Sequence, residues 1–280
     1  MPSTPTLTAS ISVGQVIYGI TVLGANIFIV RNGSTGVEVY DSSTLKLQHT
    51  IPVQANTPVG LVSCPKYKCL YLCSIGGNIF LIHRVEPAAG NATMKWKTDK
   101  SPRGLSVNSV CNVLVACSGT NKLQEFTTFG ILVREIVFQG DMSSPLHAVQ
   151  MSNGQYMVSH GTPYTNVSIV AVDGKVVYQY GNSHQFGTGP LNTVQNIAVA
   201  RNGCVLVADS GNKRILAMNP VLSCAHEIPF SLSVHGGLQN PQALYYQELQ
   251  GRLYVGEAAG EGRVLIFDNV KNIGIDMKRS

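Results

Sequence analysis

The chain has 280 residues, 44% of them apolar and only 12% charged, with a formal charge of +5. That apolar share is ample for a buried core, and the absence of any block of like charges excludes a basic tail. No apolar run is long enough to cross a bilayer, and MPSTPTLTAS lacks the basic start and apolar stretch of a secretory leader, so a soluble, cytoplasmic chain without a membrane partner is expected.

The first predicted element is TLTASISV (6–13), where Leu7, Ala9, Ile11 and Val13 alternate with Thr6, Thr8, Ser10 and Ser12, the mark of a strand with one buried face. A hairpin follows and then recurs. Its copies are NIFIVRNGSTGVEVYD (26–41), CLYLCSIGGNIFLIHRV (69–85), NVLVACSGTNKLQEFT (112–127), QYMVSHGTPYTNVSIVAV (155–172), CVLVADSGNKRILAMN (204–219) and RLYVGEAAGEGRVLIFD (252–268). In the fifth copy, Asn202-Gly203 and Asp209-Ser210-Gly211-Asn212 supply residues that tolerate the positive φ angles of tight turns.

A further short strand precedes each hairpin: GITV (19–22), GLVS (60–63), GLSV (104–107), HAVQ (147–150), NIAV (196–199) and ALYY (243–246). Pro58, Pro102, Pro145 and Pro241 stand two residues before four of these, and a proline, having no amide hydrogen for a ladder, suits the position just ahead of a strand. With Ile17 and Val194 as the matching residues elsewhere, the copies are spaced by 41, 44, 43, 49 and 47 residues. Outer strands are predicted in LKLQHTIPV (45–53), TMKWKT (93–98), LVREIVF (132–138), VVYQY (176–180) and AHEIPF (225–230). The sixth copy has none of its own.

A period in the forties with three or four short strands and no helical pattern predicts an all-β, six-bladed β-propeller. The blades are expected at 16–53, 58–98, 102–139, 145–181, 194–230 and 241–270, within one domain over 1–280, and segment 6–13 is expected to complete the sixth blade and close the ring. An immunoglobulin-like sandwich would not repeat one hairpin six times, and a β-helix has much shorter repeats.

Seven cysteines, most of them inside apolar runs, read as reduced, buried thiols. Cys64, Cys69 and Cys73 lack the spacing of a zinc knuckle. Trp96, the only tryptophan, is expected to cover a blade edge, and three Asn-x-Ser/Thr sequons begin at Asn32, Asn91 and Asn166.

The fifth copy, NIAVARNGCVLVADSGNKRIL (196–216), resembles the NHL repeat at Asn202-Gly203, Val207, Asp209-Ser210, Asn212 and Arg214-Ile215. The sixth keeps Arg263-Val264 but has Glu257 in place of the aspartate, and the third keeps Asn121 with Lys122-Leu123 in place of Arg-Ile. In layout the chain is similar to the C-terminal NHL propeller of TRIM-NHL proteins. That resemblance implies a partner-binding domain of a ubiquitin ligase, with the ligase chemistry in a RING domain this sequence does not contain. In this class some propellers bind protein and others RNA. On the residues themselves, Asp209 and Arg214 are read as structural groups that staple the blade.

Ligand contacts are expected where loops between blades and middle-strand turns converge on one face. Arg31, Lys100, Arg103, Lys122, Lys213, Arg214 and Arg263 fall there against Asp99, Asp141, Asp209, Glu257 and Glu261, with Tyr164 and Phe186 beside them. Arg103, Lys122, His147, Tyr164, His184, Phe186, Lys213 and His235 are the candidate ligand residues. Cations beside aromatic rings also suit single-stranded RNA. His147, His160, His184 and His235 are the only candidates for a channel metal, as in propeller lyases and hydrolases, but no carboxylate cluster accompanies them, and His160 is expected to project from its turn as a solvated imidazole. The expected chain is therefore a monomeric, non-catalytic recognition module without cofactor or metal, taking a protein target, with single-stranded RNA as the alternative ligand.

Overall fold

Runs such as NVLVAC and CVLVA are apolar at every residue because both faces of the strands they form are covered. In the computed structural model, which describes residues 4–54, 57–161, 165–181, 188–230, 237–259 and 261–270, Val113 and Val115 enter one hydrophobic cluster while Leu114 and Ala116 enter another. Val205 and Val207 are divided from Leu206 and Ala208 in the same way. A strand buried on both faces has no reason to alternate.

Each of the six clusters is built from two neighbouring sheets, and one of them joins the last sheet to the first. The sheets are six four-stranded antiparallel units. Their innermost strands, Ile17–Leu23, Thr57–Cys64, Pro102–Val107, Pro145–Gln150, Val194–Val199 and Pro241–Gln247, touch one another in sequence around an axis, the sixth returning to the first. The fold is thus a six-bladed β-propeller.

The sixth blade takes its outer strand from the chain's start: Thr6–Ser12 pairs antiparallel with Arg263–Asp268. Its alternation has the expected purpose. Ile11 is buried with Ile17, Ile20, Val264 and Ile266, while Thr6, Thr8, Ser10 and Ser12 are exposed.

All six inner strands slip register at the same place, between Ile17 and Gly19, Pro58 and Gly60, Pro102 and Gly104, Pro145 and His147, Val194 and Asn196, and Pro241 and Ala243. The prolines are therefore strand residues and not ahead of the strands: Pro102, Pro145 and Pro241 are the first residue and Pro58 the second, each paired just before the bulge. The start of a strand is a place where a residue without an N–H costs little. In the fifth blade Gly203 has the expected positive φ of 83°, but in the next turn the left-handed residue is Lys213 (φ 56°), following a short 3₁₀ turn at Ser210–Asn212. Trp96 packs between blades 2 and 3, with its ring centroid 6.1 Å from those of both Tyr71 and Phe126.

Candidate functional site

The loop face is organised by one position that recurs in every blade. The residue paired with each inner-strand marker is Arg31, Ser74, Cys117, His160, Asp209 or Glu257. Each meets a side chain of the third strand: Arg31 Nε donates to Glu38 (2.7 Å), Ser74 Oγ lies 2.9 Å from His83 Nε2, Cys117 Sγ lies 4.0 Å from Gln124 Oε1, His160 Nε2 lies 2.8 Å from Ser168 Oγ, Arg214 Nε donates to Asp209 (2.7 Å), and Arg263 Nε donates to Glu257. Three blades use a charged pair and three a neutral one. Sequence reasoning read only the fifth as a staple, because residue type differs from blade to blade while the bond is kept.

In three blades these pairs also fasten the loop that enters the blade. Asp209, fully buried (0%), accepts from the Asn192 amide (2.7 Å) and Asn212 Nδ2 (2.8 Å). Arg214 Nη1 donates to Thr188 O (2.5 Å) and Nη2 to Pro190 O (3.4 Å). Glu257, also 0% exposed, accepts from the Gln239 amide (2.6 Å), and Arg263 Nη2 donates to Gly237 O (3.1 Å). In blade 3 the same office falls to Gln124, whose Oε1 accepts the Asp99 amide (3.4 Å). A carboxylate held out of water needs this density of donors.

The axial channel is narrow, a cavity of about 100 Å³ lined by inner strands of all six blades. Glycine makes the narrowness possible: a Cβ on Gly104 would meet Leu146 O at 2.4 Å and His147 Cα at 2.8 Å. The imidazole of His147 occupies the room Gly104 leaves and bonds through Nε2 to Leu105 O (3.1 Å). A carbonyl only accepts, so Nε2 carries the hydrogen. Burial pushes the His147 pKa down to about 4, keeping the ring neutral. Nδ1 has no hydrogen-bond partner, and no carboxylate lines this channel among the described residues.

The candidate ligand residues divide accordingly. Arg103 is exposed beside the channel and, with Lys100, has no ion pair among the described residues. Lys213 is exposed and reaches only Gln239 (3.3 Å). Lys122, a candidate ligand residue, is held at 2.6 Å by both Asp99 and Glu135, which raise its pKa. His147, expected to reach a ligand from a loop, is instead part of the channel wall. Tyr164, His184, Phe186 and His235 lie outside the described residues.

His160 also departs from expectation: as the last residue of strand Tyr156–His160 it is buried, and desolvation pushes its pKa down to about 4. No group of three or more His, Cys, Asp or Glu side chains placed to hold a metal ion occurs among the described residues. The face's apparent surplus of cations is largely internal. Pairing consumes Arg31, Lys122, Arg214 and Arg263, leaving Lys100, Arg103 and Lys213 against the exposed Asp141 and Glu261.

No family model and no curated protein matches the chain. Among solved structures it is similar to hydrazine synthase of Kuenenia stuttgartiensis, at 18% identity over 95% of this chain and 80% of that one, with a TM-score of 0.66. A Bacteroides thetaiotaomicron protein of unknown function gives a TM-score of 0.71 at 10% identity, covering 91% of this chain and 69% of that one. Streptogramin B lyase gives 0.62 at 13% identity over 92% and 85% of the respective chains. At such identities the likeness is one of fold. The class defined is a six-bladed propeller with stapled loops, and none of its described helices is long and apolar enough to cross a membrane.

Proposed function

We propose that the chain is a non-catalytic recognition module whose loop face docks a protein target, in the manner its resemblance to NHL propellers of TRIM-NHL ubiquitin ligases implies. The observation that carries this reading is the stapling of the loop ends: Asp209–Arg214 and Glu257–Arg263 fix backbone at Thr188, Pro190, Asn192, Gly237 and Gln239, so at these positions a partner meets backbone already held and little entropy is lost on docking there. A channel of about 100 Å³ whose described lining has one imidazole and no carboxylate offers no acid–base pair for chemistry.

Protein is favoured over single-stranded RNA by charge. Among the described residues, three cations without ion pairs facing two such acids make a mixed surface, whereas a nucleic-acid site needs a continuous basic track. The test uses the full chain immobilised and offered nuclease-treated lysate, beside the variant Arg103→Glu/Lys213→Glu. Retention of a discrete protein by the unaltered ring, weakened about tenfold or more in the variant, is the expected result. Tight binding of random single-stranded RNA with a steep salt dependence, lost in the same variant, would overturn it.

A further inference from the structure

The opposite end of the ring carries a feature that the loop-face reading does not use. Of the exposed large apolar side chains, Tyr67, Val110, Phe129, Ile131, Val172, Val221 and Leu249 all stand in turns of that end, on five of the six blades. At the loop end, Ile79 and Val137, the latter paired with Lys122, are exposed among the described residues. The densest part is the seam of blades 2 and 3, where Val110, Phe129 and Ile131 are 64%, 57% and 66% exposed. These three belong to one surface with Lys66-Tyr67-Lys68, since Cys111 lies in the same cluster as Cys64, Tyr71 bonds Thr128, and Arg84 stacks 5.3 Å from the Phe129 ring.

Positive charge gathers at the same seam. Of the charged residues of blade 2 (57–98), Lys66, Lys68 and Arg84 stand at this end against the one carboxylate Glu86, while Lys95 lies mid-way along the outer strand and Lys97, opposite Leu81, toward the loop end. Lys66 and Lys68 are exposed without ion pairs among the described residues, and Lys66 Nζ lies 5.6 Å from the Tyr67 ring. Arg84, buried beneath Phe129, meets only Glu86 (3.2 Å) and leaves Nε without a hydrogen-bond partner. Among the other acids of this end, Glu248, Glu125 and Asp268 are paired with Arg201, Arg134 and Arg252, while Asp41 and Asp173, hydrogen-bonded by neutral groups of their own turns, keep their charge on blades 1 and 4, away from this seam.

We propose that this end face is a contact surface for anionic lipid membranes. Lys66 and Lys68 lie among the headgroups, and Tyr67, Val110, Phe129 and Ile131 enter the boundary between headgroup and acyl chain. Charge complementarity selects an anionic partner, and the distribution of the apolar groups selects a flat one. Apolar tips spread over the planar end of a rigid ring meet a bilayer together, whereas a peptide or an RNA strand engages one track. A contact made by separate turns needs no bilayer-crossing segment.

The experiment is co-sedimentation of the full chain with phosphatidylcholine vesicles and with vesicles in which about one lipid in four is phosphatidylserine. Binding to the anionic vesicles at least about tenfold stronger than to the neutral ones is expected. Phe129→Ser/Ile131→Ser and, separately, Lys66→Glu/Lys68→Glu should each reduce it about tenfold with an unchanged melting curve, while Arg103→Glu/Lys213→Glu on the loop face leaves it intact. Absence of anionic-vesicle binding, equal binding to both vesicles, or persistence in both turn variants overturns the proposal. So does saturable binding of an acidic peptide or single-stranded RNA that these variants abolish while vesicles remain unbound.

Discussion

Asp209 shows what one residue of the repeat has to satisfy. Its carboxylate is out of water, so its charge is supported only by the Asn192 amide, the Asn212 side chain and the Arg214 guanidinium. Glu257 does the same with one more methylene, Arg31 and Glu38 exchange the signs, and Ser74–His83 and His160–Ser168 dispense with charge. The constant requirement is a bond across the second and third strands, and different residue pairs meet it. Removing one partner of a charged pair should therefore cost far more than removing one of a neutral pair. Arg214→Ala is expected to destabilise the ring by about 3 to 5 kcal/mol because it leaves Asp209 buried and undercompensated. Ser168→Ala should cost about 1 to 3 kcal/mol, the penalty for an unpaired buried His160 nitrogen. Urea unfolding of the two variants decides the matter: equal losses would mean that burial of the Asp209 charge is not what Arg214 offsets.

At the scale of the element, strand Thr6–Ser12 has the longest-range partner in the fold. It pairs with Arg263–Asp268, more than 250 residues away, and without it the sixth blade would present an open edge and uncover Val264 and Ile266. Removal of residues 4–12 is expected to lower stability by more than about 3 kcal/mol, from the lost burial of Ile11 and its neighbours alone. A synthetic peptide spanning 6–13 should restore the thermal midpoint in a concentration-dependent way. Failure of the peptide to do so would show that closure depends on the covalent connection more than on the strand. This strand was legible in the sequence because its one buried face writes an alternation. The hairpins were legible because both faces are buried, which writes a continuous apolar run. The staples of blades 1 to 4 were not legible, since whether Cys117 faces Gln124 depends on strand register, and a change of residue type with the bond kept leaves no motif. His160 was misplaced for a related reason: a histidine at the end of an apolar run reads equally well as the last strand residue or the first of the turn, and only Ser168 across the hairpin decides.

For the whole molecule, the consequence of enclosing three imidazoles is a sensitivity to acid. His83, His147 and His160 each have a pKa pushed down to about 4 by burial, His83 also by the nearby charge of Lys95. The unfolded chain, with ordinary imidazoles near pH 6.5, takes up protons that the folded ring refuses, so their contribution is fully present above about pH 6.5 and is lost progressively as the pH falls toward 4. Each proton refused by the folded ring lowers stability in acid by roughly 1.4 kcal/mol for every unit of displacement, so three such imidazoles weigh noticeably against a marginally stable fold. The carboxylates held low by cations, Asp99 by Lys122 and Asp268 by Arg252, titrate beneath this window and do not mask it. Because every blade shares a hydrophobic cluster with each neighbour, loss at blades 2 and 4 cannot be confined there, and the ring should unfold as one. The expected profile is a urea midpoint that is level above pH 7 and falls steeply between about 6.5 and 4.5. Added salt should not rescue it, because desolvation and not repulsion between surface charges is the main cause. A midpoint unchanged between pH 7 and 5, or one restored by salt, would show that these imidazoles accept protons without opening the ring.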